Sequence, residues 1–461
     1  MDYQTARKLE IHDAHQRLIE PFANTYRCGL PTIVLLPGGM GSHLDRSTRP
    51  FKNAASIPFE AYDPVWMDLE IIFGRDADLI RIQENGHDAG EHIIVPNGPL
   101  RFLVNGYDGT EKFFRALGWN YIVFGYDWRQ PVSEGAAQLE DFLVRLRDRV
   151  KDLRDCDPLP TTTLIAHSQG GLVAKVFLER VVGDDGKNLG LWCERLVTVG
   201  TPFYGTATHQ DRYYQGQSPL NTFYGKKSVA QLAGSLPGPY ILMHADFDTI
   251  ERDRAALGLD AYPVTDTKTS EPVDPYDPAN AGRFPSWVPP QFLSAARDLR
   301  ETITFELPDA AAERVFHIRT GLTATKGERL VWSDVNGVSY DPSAGSPLKA
   351  LPGPGDGTVP FWSARLAQTP DSRIFNLKIA KDHGSLIEHE ETLTVIQSLV
   401  EKGKLPATVQ AEDRSLGVAK ASTAKTRTFI NKVLAGELKK SDPEANVPAV
   451  WRRILEETLL S

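Results

Sequence analysis

Cysteine is scarce. The 461 residues hold 3 of them, Cys28, Cys156 and Cys193, far apart and without a C-x-x-C pair. Any disulfide pairing leaves one over, so reduced thiols in a reducing compartment are expected. Long apolar runs are missing as well: none approaches the ~18 residues of a membrane-spanning helix. The N-terminal stretch MDYQTARKLEIHDAHQRLIE has no apolar signal core. A cytoplasmic protein is expected, with peripheral contact at a membrane surface left open. Net positive charge is also lacking, since 51 Lys and Arg stand against 60 Asp and Glu, for a formal charge of -9. That disfavours nonspecific nucleic-acid binding, which works by displacing counterions. The 11 histidines are scattered and no H-E-x-x-H occurs, so neither a metal nor a cofactor is expected.

What is present is an alternation of short apolar runs with amphipathic stretches, the pattern of an α/β protein. Six runs read as strands: TIVLLPGG, YIVFGYDWR, TTTLIAH, RLVTVGTP, RVFHIRTG and RIFNLKIA. Residues 134–155 read as a helix, with Leu139, Phe142, Leu143, Leu146, Val150 and Leu153 at helical spacing. The alternation breaks at 203–312, which is too long for a plain loop and reads as an inserted cap. The expected organisation is an N-terminal extension (1–30), a first core part (31–202), the cap (203–312), a second core part (313–402) and a helical tail (403–461). Within the cap, the Pro- and Asp-rich stretch from Tyr262 to Pro290 reads as exposed and flexible.

The segment LIAHSQGGLVAKVF carries the chemistry. Ala-His-Ser-Gln-Gly is close to G-x-S-x-G, with Ala166 at the first glycine position. A relaxed match of this kind arises by chance in on the order of one chain in three of this length. Context raises its weight. Ser168 is the one serine that fits, and it stands between an apolar strand and a helix striped by Leu172, Val173, Val176, Phe177 and Val181. That is the setting of a nucleophile elbow. Gly170 supplies the small residue after the serine. Alanine suffices before it if φ stays negative.

A serine needs a base, and the base an orienting carboxylate, in the chain order Ser, Asp or Glu, His. Asp356 in GPGDGTVP and His383 in KDHGSL follow the last two strand runs. The competitors fit less well. Asp382 adjoins His383, His389 lies in a helical pattern, His317 is mid-strand and His244 is in the presumed cap. His167 reads as packing for the elbow. An oxyanion needs two N–H donors. Gln169 directly after the serine offers one; Gly39 in LLPGGMGSHL offers the other, with Met40 second in line. Tyr213, Tyr214, Phe223 and Tyr224 are candidates to line an acyl groove.

These blocks together resemble the lecithin:cholesterol acyltransferase family of α/β-hydrolases, which includes lysosomal phospholipase A2 and phospholipid:diacylglycerol acyltransferase. LLPGGMGSHL is similar to its oxyanion block, VWMDLE to its Trp segment with Trp66 at the tryptophan, and YDWR (Tyr126 to Arg129) to a block between core strands. AHSQGGL, VTVGTPFYGT, GDGTVP and HGSLIEHEETLTVI follow in family order. The resemblance implies an α/β-hydrolase fold, a Ser168–Asp356–His383 triad, an amide of Gly39 in the oxyanion hole, and a lipid or other carboxylic ester as substrate. It implies acyl hydrolysis or acyl transfer through an acyl-enzyme. The alternative class is a non-catalytic hydrolase-fold scaffold that binds a partner.

Overall fold

The computed structural model describes residues 2–50, 63–66, 77–89, 92–99, 107–216 and 225–406. Nearly all of the expected tail lies outside that set, as do Phe223 and Tyr224. Twelve strands are numbered in chain order. Six form the central sheet: β1 (Thr32–Leu36), β5 (Asn120–Val123), β6 (Thr162–His167), β7 (Arg195–Val199), β9 (Val315–Arg319) and β12 (Ile374–Asn376), in the spatial order β12-β9-β7-β6-β1-β5. Every pairing in this sheet is parallel. The six are the apolar runs read from the sequence. All five residues of β1 and of β7 are buried, as expected of strands covered on both faces, which read as unbroken apolar runs. The fold is thus the expected α/β-hydrolase type.

The helix Val132–Arg154 buries Leu139, Phe142, Leu143, Leu146 and Val150. The helix Gln169–Val181 packs against it and buries its whole apolar stripe. Two small sheets flank the main one: β2 (Ser42–Pro50), β3 (Asp63–Trp66) and β4 (His92–Pro99) in one, and β8 (Val264–Asp266), β10 (Thr323–Trp332) and β11 (Leu348–Gly355) in the other. The second of these departs from the expected division. β10 and β11 lie in the stretch assigned to the core, yet β10 pairs with β8, inside the stretch assigned to the cap. β11 then leads straight into Asp356, which bridges to Thr323 at the start of β10.

Two expectations are corrected. Cys28 and Cys156 form a disulfide with Cα atoms 6.2 Å apart, leaving Cys193 free and buried. The sequence separation of 128 hid the pairing. Folding brings the segment after the first helix beside the C-terminal end of Val132–Arg154. The stretch Tyr262–Pro290 is not a loose loop. Tyr276, Phe284 and Val288 are buried, and Asp266 accepts from Lys268 N at 2.7 Å, Thr269 N at 3.1 Å and Arg283 Nη1 at 2.9 Å. The N-terminal extension is a long helix, Tyr3–Thr25, whose N-cap Asp2 accepts from Thr5 N. Its buried face includes Arg7, Glu10 and His15 as well as Ile11, Ile19 and Phe22. Polar residues on the inner face mask the apolar period that would have revealed it. Among the described residues no helix is long and apolar enough to cross a membrane.

Those inner polar groups are paired. Arg7 Nη2 meets Asp127 Oδ2 at 3.0 Å, and Arg7 Nη1 also meets Glu134. Arg129, fully buried, meets Asp127 at 2.8 Å and Asp88 at 2.7 Å and donates to Ile80 O at 3.1 Å. Burial pushes the Asp127 carboxyl up, but Arg129 and Arg7 outweigh it and hold it below the usual value. Removing one partner of such a network strands the other charges. Arg129→Met is therefore expected to cost about 3–5 kcal/mol, read as a lower urea midpoint at neutral pH. A depressed carboxylate pKa means stability that is present above the unfolded value and lost as pH falls. The gap between parent and variant should accordingly shrink below about pH 3.9, the ordinary Asp value.

Candidate active site

Ser168 stands where β6 turns into the helix Gln169–Val181. Its backbone is at φ 52° and ψ -127°, a region that costs a non-glycine residue about 1–3 kcal/mol. The turn is held by Ser168 N–H donating to Val199 O at 3.0 Å, on the neighbouring strand. Ala166 stays in the regular ladder, opposite Leu36 and Thr198, and is not among the residues of positive φ. A glycine is not needed there. It is needed at 170, where a Cβ would lie 2.4 Å from Pro37 O and 2.6 Å from Leu36 O. At 171 a Cβ would lie 2.0 Å from Thr201 Oγ1.

The histidine and acid loops converge on this turn. His383 Nε2 lies 2.8 Å from Ser168 Oγ, and His383 Nδ1 lies 2.7 Å from Asp356 Oδ2. A carboxylate only accepts, so the imidazole proton sits on Nδ1 and Nε2 accepts from the serine hydroxyl. The other carboxylate oxygen, Asp356 Oδ1, accepts from Thr358 N at 3.0 Å and Val359 N at 2.7 Å. Gly200, at φ +58°, backs the pair. A Cβ there would stand 3.0 Å from Asp356 Oδ2 and 3.2 Å from His383 Nδ1.

The glycine loop after β1 closes the other side. At Gly39 a Cβ would lie 2.5 Å from Gln169 Oε1, so Gly39 rests on the residue after the serine. Trp66 Nε1 donates to Met40 O at 2.9 Å, pinning the loop. Gln169 Nε2 donates to Trp128 O at 3.3 Å.

Ser168 and His383 open on a cavity of about 910 Å³ including its mouth. Met40, Trp66 and Tyr213 line it, together with Trp128, Leu232 and Leu236. Tyr214 does not line it. Its ring packs on Phe284 at 6.0 Å and its hydroxyl donates to Arg283 O at 2.9 Å, so it is part of the packed interior. The competing groups are engaged elsewhere. His317 lies between Thr198 Oγ1 at 2.7 Å and Thr369 Oγ1 at 3.0 Å. His244 is buried and stacked on Trp362. His389 Nδ1 accepts from Glu391 N, and Asp382 accepts from Ser385 Oγ.

Among the lining residues that escaped sequence reading are two titratable ones, His209 and Arg212, on the helix Ala207–Gln215. Arg212 Nη1 donates to His209 Nε2 at 2.9 Å. Burial lowers the Arg212 guanidinium to about 10. Burial, then Arg212 and His383, hold His209 well below its usual value. Their helix is polar in sequence, and nothing in ATHQDRYYQ marks which side meets a cavity.

Known proteins bear on this arrangement. Residues 118–235 match the model of the lecithin:cholesterol acyltransferase family. Polyketide synthase GfsA of Streptomyces halstedii is 26% identical over 305 residues, 63% of this chain and 4% of that one. This chain thus spans a small fraction of that relative's length. Among solved structures, the Tle4-Tli4 complex is similar at a TM-score of 0.45 and 14% identity, covering 81% of this chain and 97% of the other. The mature Bacillus licheniformis lipase BlEst2 is similar at a TM-score of 0.34 and 15% identity, covering 81% and 93%.

The geometry yields a test of the elbow's two flanks. Ala166→Gly is expected to leave ester turnover within about twofold of the parent, since no space is gained that the turn requires. Gly170→Ala must push the helix off β1 and should lose roughly tenfold or more, about 1.4 kcal/mol in barrier. Steady-state rates on a soluble p-nitrophenyl ester measure both. The chain has an α/β-hydrolase fold, and its residues 118–235 are similar to the lecithin:cholesterol acyltransferase family.

Proposed function

We propose that the protein is a serine-dependent acyl hydrolase or acyltransferase that acts on lipid or other carboxylic esters through an acyl-enzyme. The observation that carries this reading is the hydrogen-bonded chain Ser168 Oγ, His383, Asp356 at the mouth of an apolar cavity. His383 Nε2 takes the hydroxyl proton as Ser168 Oγ attacks the ester carbonyl. Asp356 keeps the imidazole in the tautomer that can accept it and stabilises the imidazolium that forms. The N–H groups of Gly39 and Gln169 hold the oxyanion, the latter helped by the start of its helix. His383 then protonates the leaving alcohol, and a second nucleophile resolves the acyl-enzyme. Water makes the protein a lipase, phospholipase or esterase, and a lipid alcohol makes it an acyltransferase.

Met40, Trp66 and Tyr213 are assigned to the acyl-binding wall. Residues 203–312 are read as a cap, because Tyr213, Leu232 and Leu236 reach the cavity from that stretch while Ser168 and His383 reach it from the core. A scaffold without catalysis has no use for a buried acid, a tautomer-fixed base and a strained serine aligned at hydrogen-bond distance.

Incubation with a total lipid extract, followed by mass spectrometry, identifies donor and acceptor. Ser168→Ala is expected to abolish both lipid conversion and fluorophosphonate labelling while circular dichroism stays unchanged. His383→Ala should be about as damaging, and Asp356→Asn severe but less so. Ser168→Ala activity within tenfold of the parent, about 1.4 kcal/mol, would refute the assignment.

A further inference from the structure

Behind the elbow, three hydrogen bonds form one connected path. Gly38 N–H donates to Tyr107 Oη at 2.8 Å. Tyr107 Oη lies 3.2 Å from His167 Nδ1, and His167 Nε2 lies 3.0 Å from His383 O. The proton directions follow from donor counting. A carbonyl only accepts, so His167 carries its proton on Nε2 and donates it to His383. A neutral imidazole has one N–H, so Nδ1 accepts, and its donor is the Tyr107 hydroxyl, which in turn accepts from Gly38. His167 is neutral because burial, then the neighbouring His383, lower its pKa to about 3. Burial also raises the Tyr107 phenol, which keeps its proton. Each member of the path thus has a single arrangement.

We propose that Tyr107 and His167 are positioning residues: a two-residue strut that sets the oxyanion loop at a fixed distance and angle from the main chain of the base. One end fixes the Gly38 peptide and so aims the adjoining Gly39 N–H. The other end fixes the backbone from which the His383 imidazole projects. The role rests on the catalytic reading above and deepens it. Contact limits the strut from the other direction. A Cβ at Gly38 would lie 2.9 Å from Ser168 Cβ and 3.2 Å from His167 Nδ1, so the loop has no room to move closer. Hydrogen bonds keep it from moving away. The rings meet along the same path, Tyr107 edge-on to His167 at 6.1 Å and His167 tilted against His383 at 4.9 Å between centroids. A parallel tie runs beside it, where Gly109 N, two residues after Tyr107, donates to Glu388 Oε1 at 2.8 Å. Glu388 ends the short helical turn that begins with His383. The oxyanion loop and the base are therefore held by one another, not only by the sheet.

Tyr107→Phe removes a single oxygen and leaves the ring in place. The expected result is a kcat on a soluble ester lowered about ten- to hundredfold, the scale of a misplacement near 1 Å. KM should stay within about twofold, since the acyl wall is untouched. Fluorophosphonate labelling should slow in proportion. A cycle with His167→Ala and the double variant reads the coupling: a strut makes the double variant about as slow as the slower single, whereas independent contacts multiply. If His167→Ala fails to fold, His167→Gln takes its place in the cycle. A Tyr107→Phe kcat within twofold of the parent, with Ser168→Ala inactive, overturns the strut and leaves the catalytic reading standing. Loss of rate only in step with the folded fraction, by active-site titration and melting, also overturns it. Activity retained in Ser168→Ala removes the catalytic reading itself, and the strut's role falls with it.

Discussion

Everything at the site depends on the close approach of four backbone segments around one strained residue. Ser168 is held at φ 52° by a hydrogen bond to β7 and by the helix that starts directly after it. That turn puts the hydroxyl at the carboxyl end of the sheet, where open α/β folds bind their ligands. Glycines make the crowding possible. Gly170 lets the helix meet β1, Gly38 lets the loop after β1 meet Ser168, and Gly200 lets the β7 turn meet Asp356 and His383. A methyl group at Gly170 would strike backbone, at Gly38 it would press on Ser168, and at Gly200 on Asp356 and His383. The strain at Ser168 is a small fraction of what the surrounding burial supplies.

The packing that opposes this strain is partly ionic. Arg7, Asp88, Asp127, Arg129 and Glu134 form a buried network between the N-terminal helix and the core. Between Asp127 and Arg129 stands Trp128, which lines the cavity and whose carbonyl accepts from Gln169. The network therefore reaches Gln169, the residue after Ser168, through one intervening residue. Buried ion pairs contribute little net stability against an apolar alternative, yet breaking one is costly. Such a network specifies one arrangement of helix and loop more than it stabilises the chain.

The cavity joins parts of the chain that are remote in sequence. Its wall takes Met40 and Trp66 from near the first strands, Tyr213 and Leu232 from the insertion after β7, and Thr358 from beside the acid. β10 ties the insertion to Asp356 through β8 and β11, so a rigid swing of the insertion would pull on the Asp356 loop. Within the insertion, Arg300 is fully buried and donates to Phe203 O at 2.6 Å and Met243 O at 2.9 Å, so distant parts of that stretch are held to one another.

The central sheet is legible in the sequence, because strands covered on both faces must be apolar throughout and six such runs stand out. The sequence also marks Ser168, Asp356 and His383, because each follows a strand end and has few rivals, and the fold brings the three to hydrogen-bond distance. Ala166 was legible as harmless from backbone sterics alone. The tertiary structure decided what depends on contacts between distant residues. The Cys28–Cys156 pairing needs two helix ends brought together across 128 residues. The N-terminal helix hides its period because Arg7, Glu10 and His15 face inward and find partners only in the fold. Tyr213 and Tyr214 are indistinguishable as neighbours in sequence, yet one lines the cavity and the other packs on Phe284. His167 read as packing beside the serine. Its link to Tyr107 and His383 exists only where three loops meet, since a hydrogen-bond path is a property of relative position, and a linear sequence carries none.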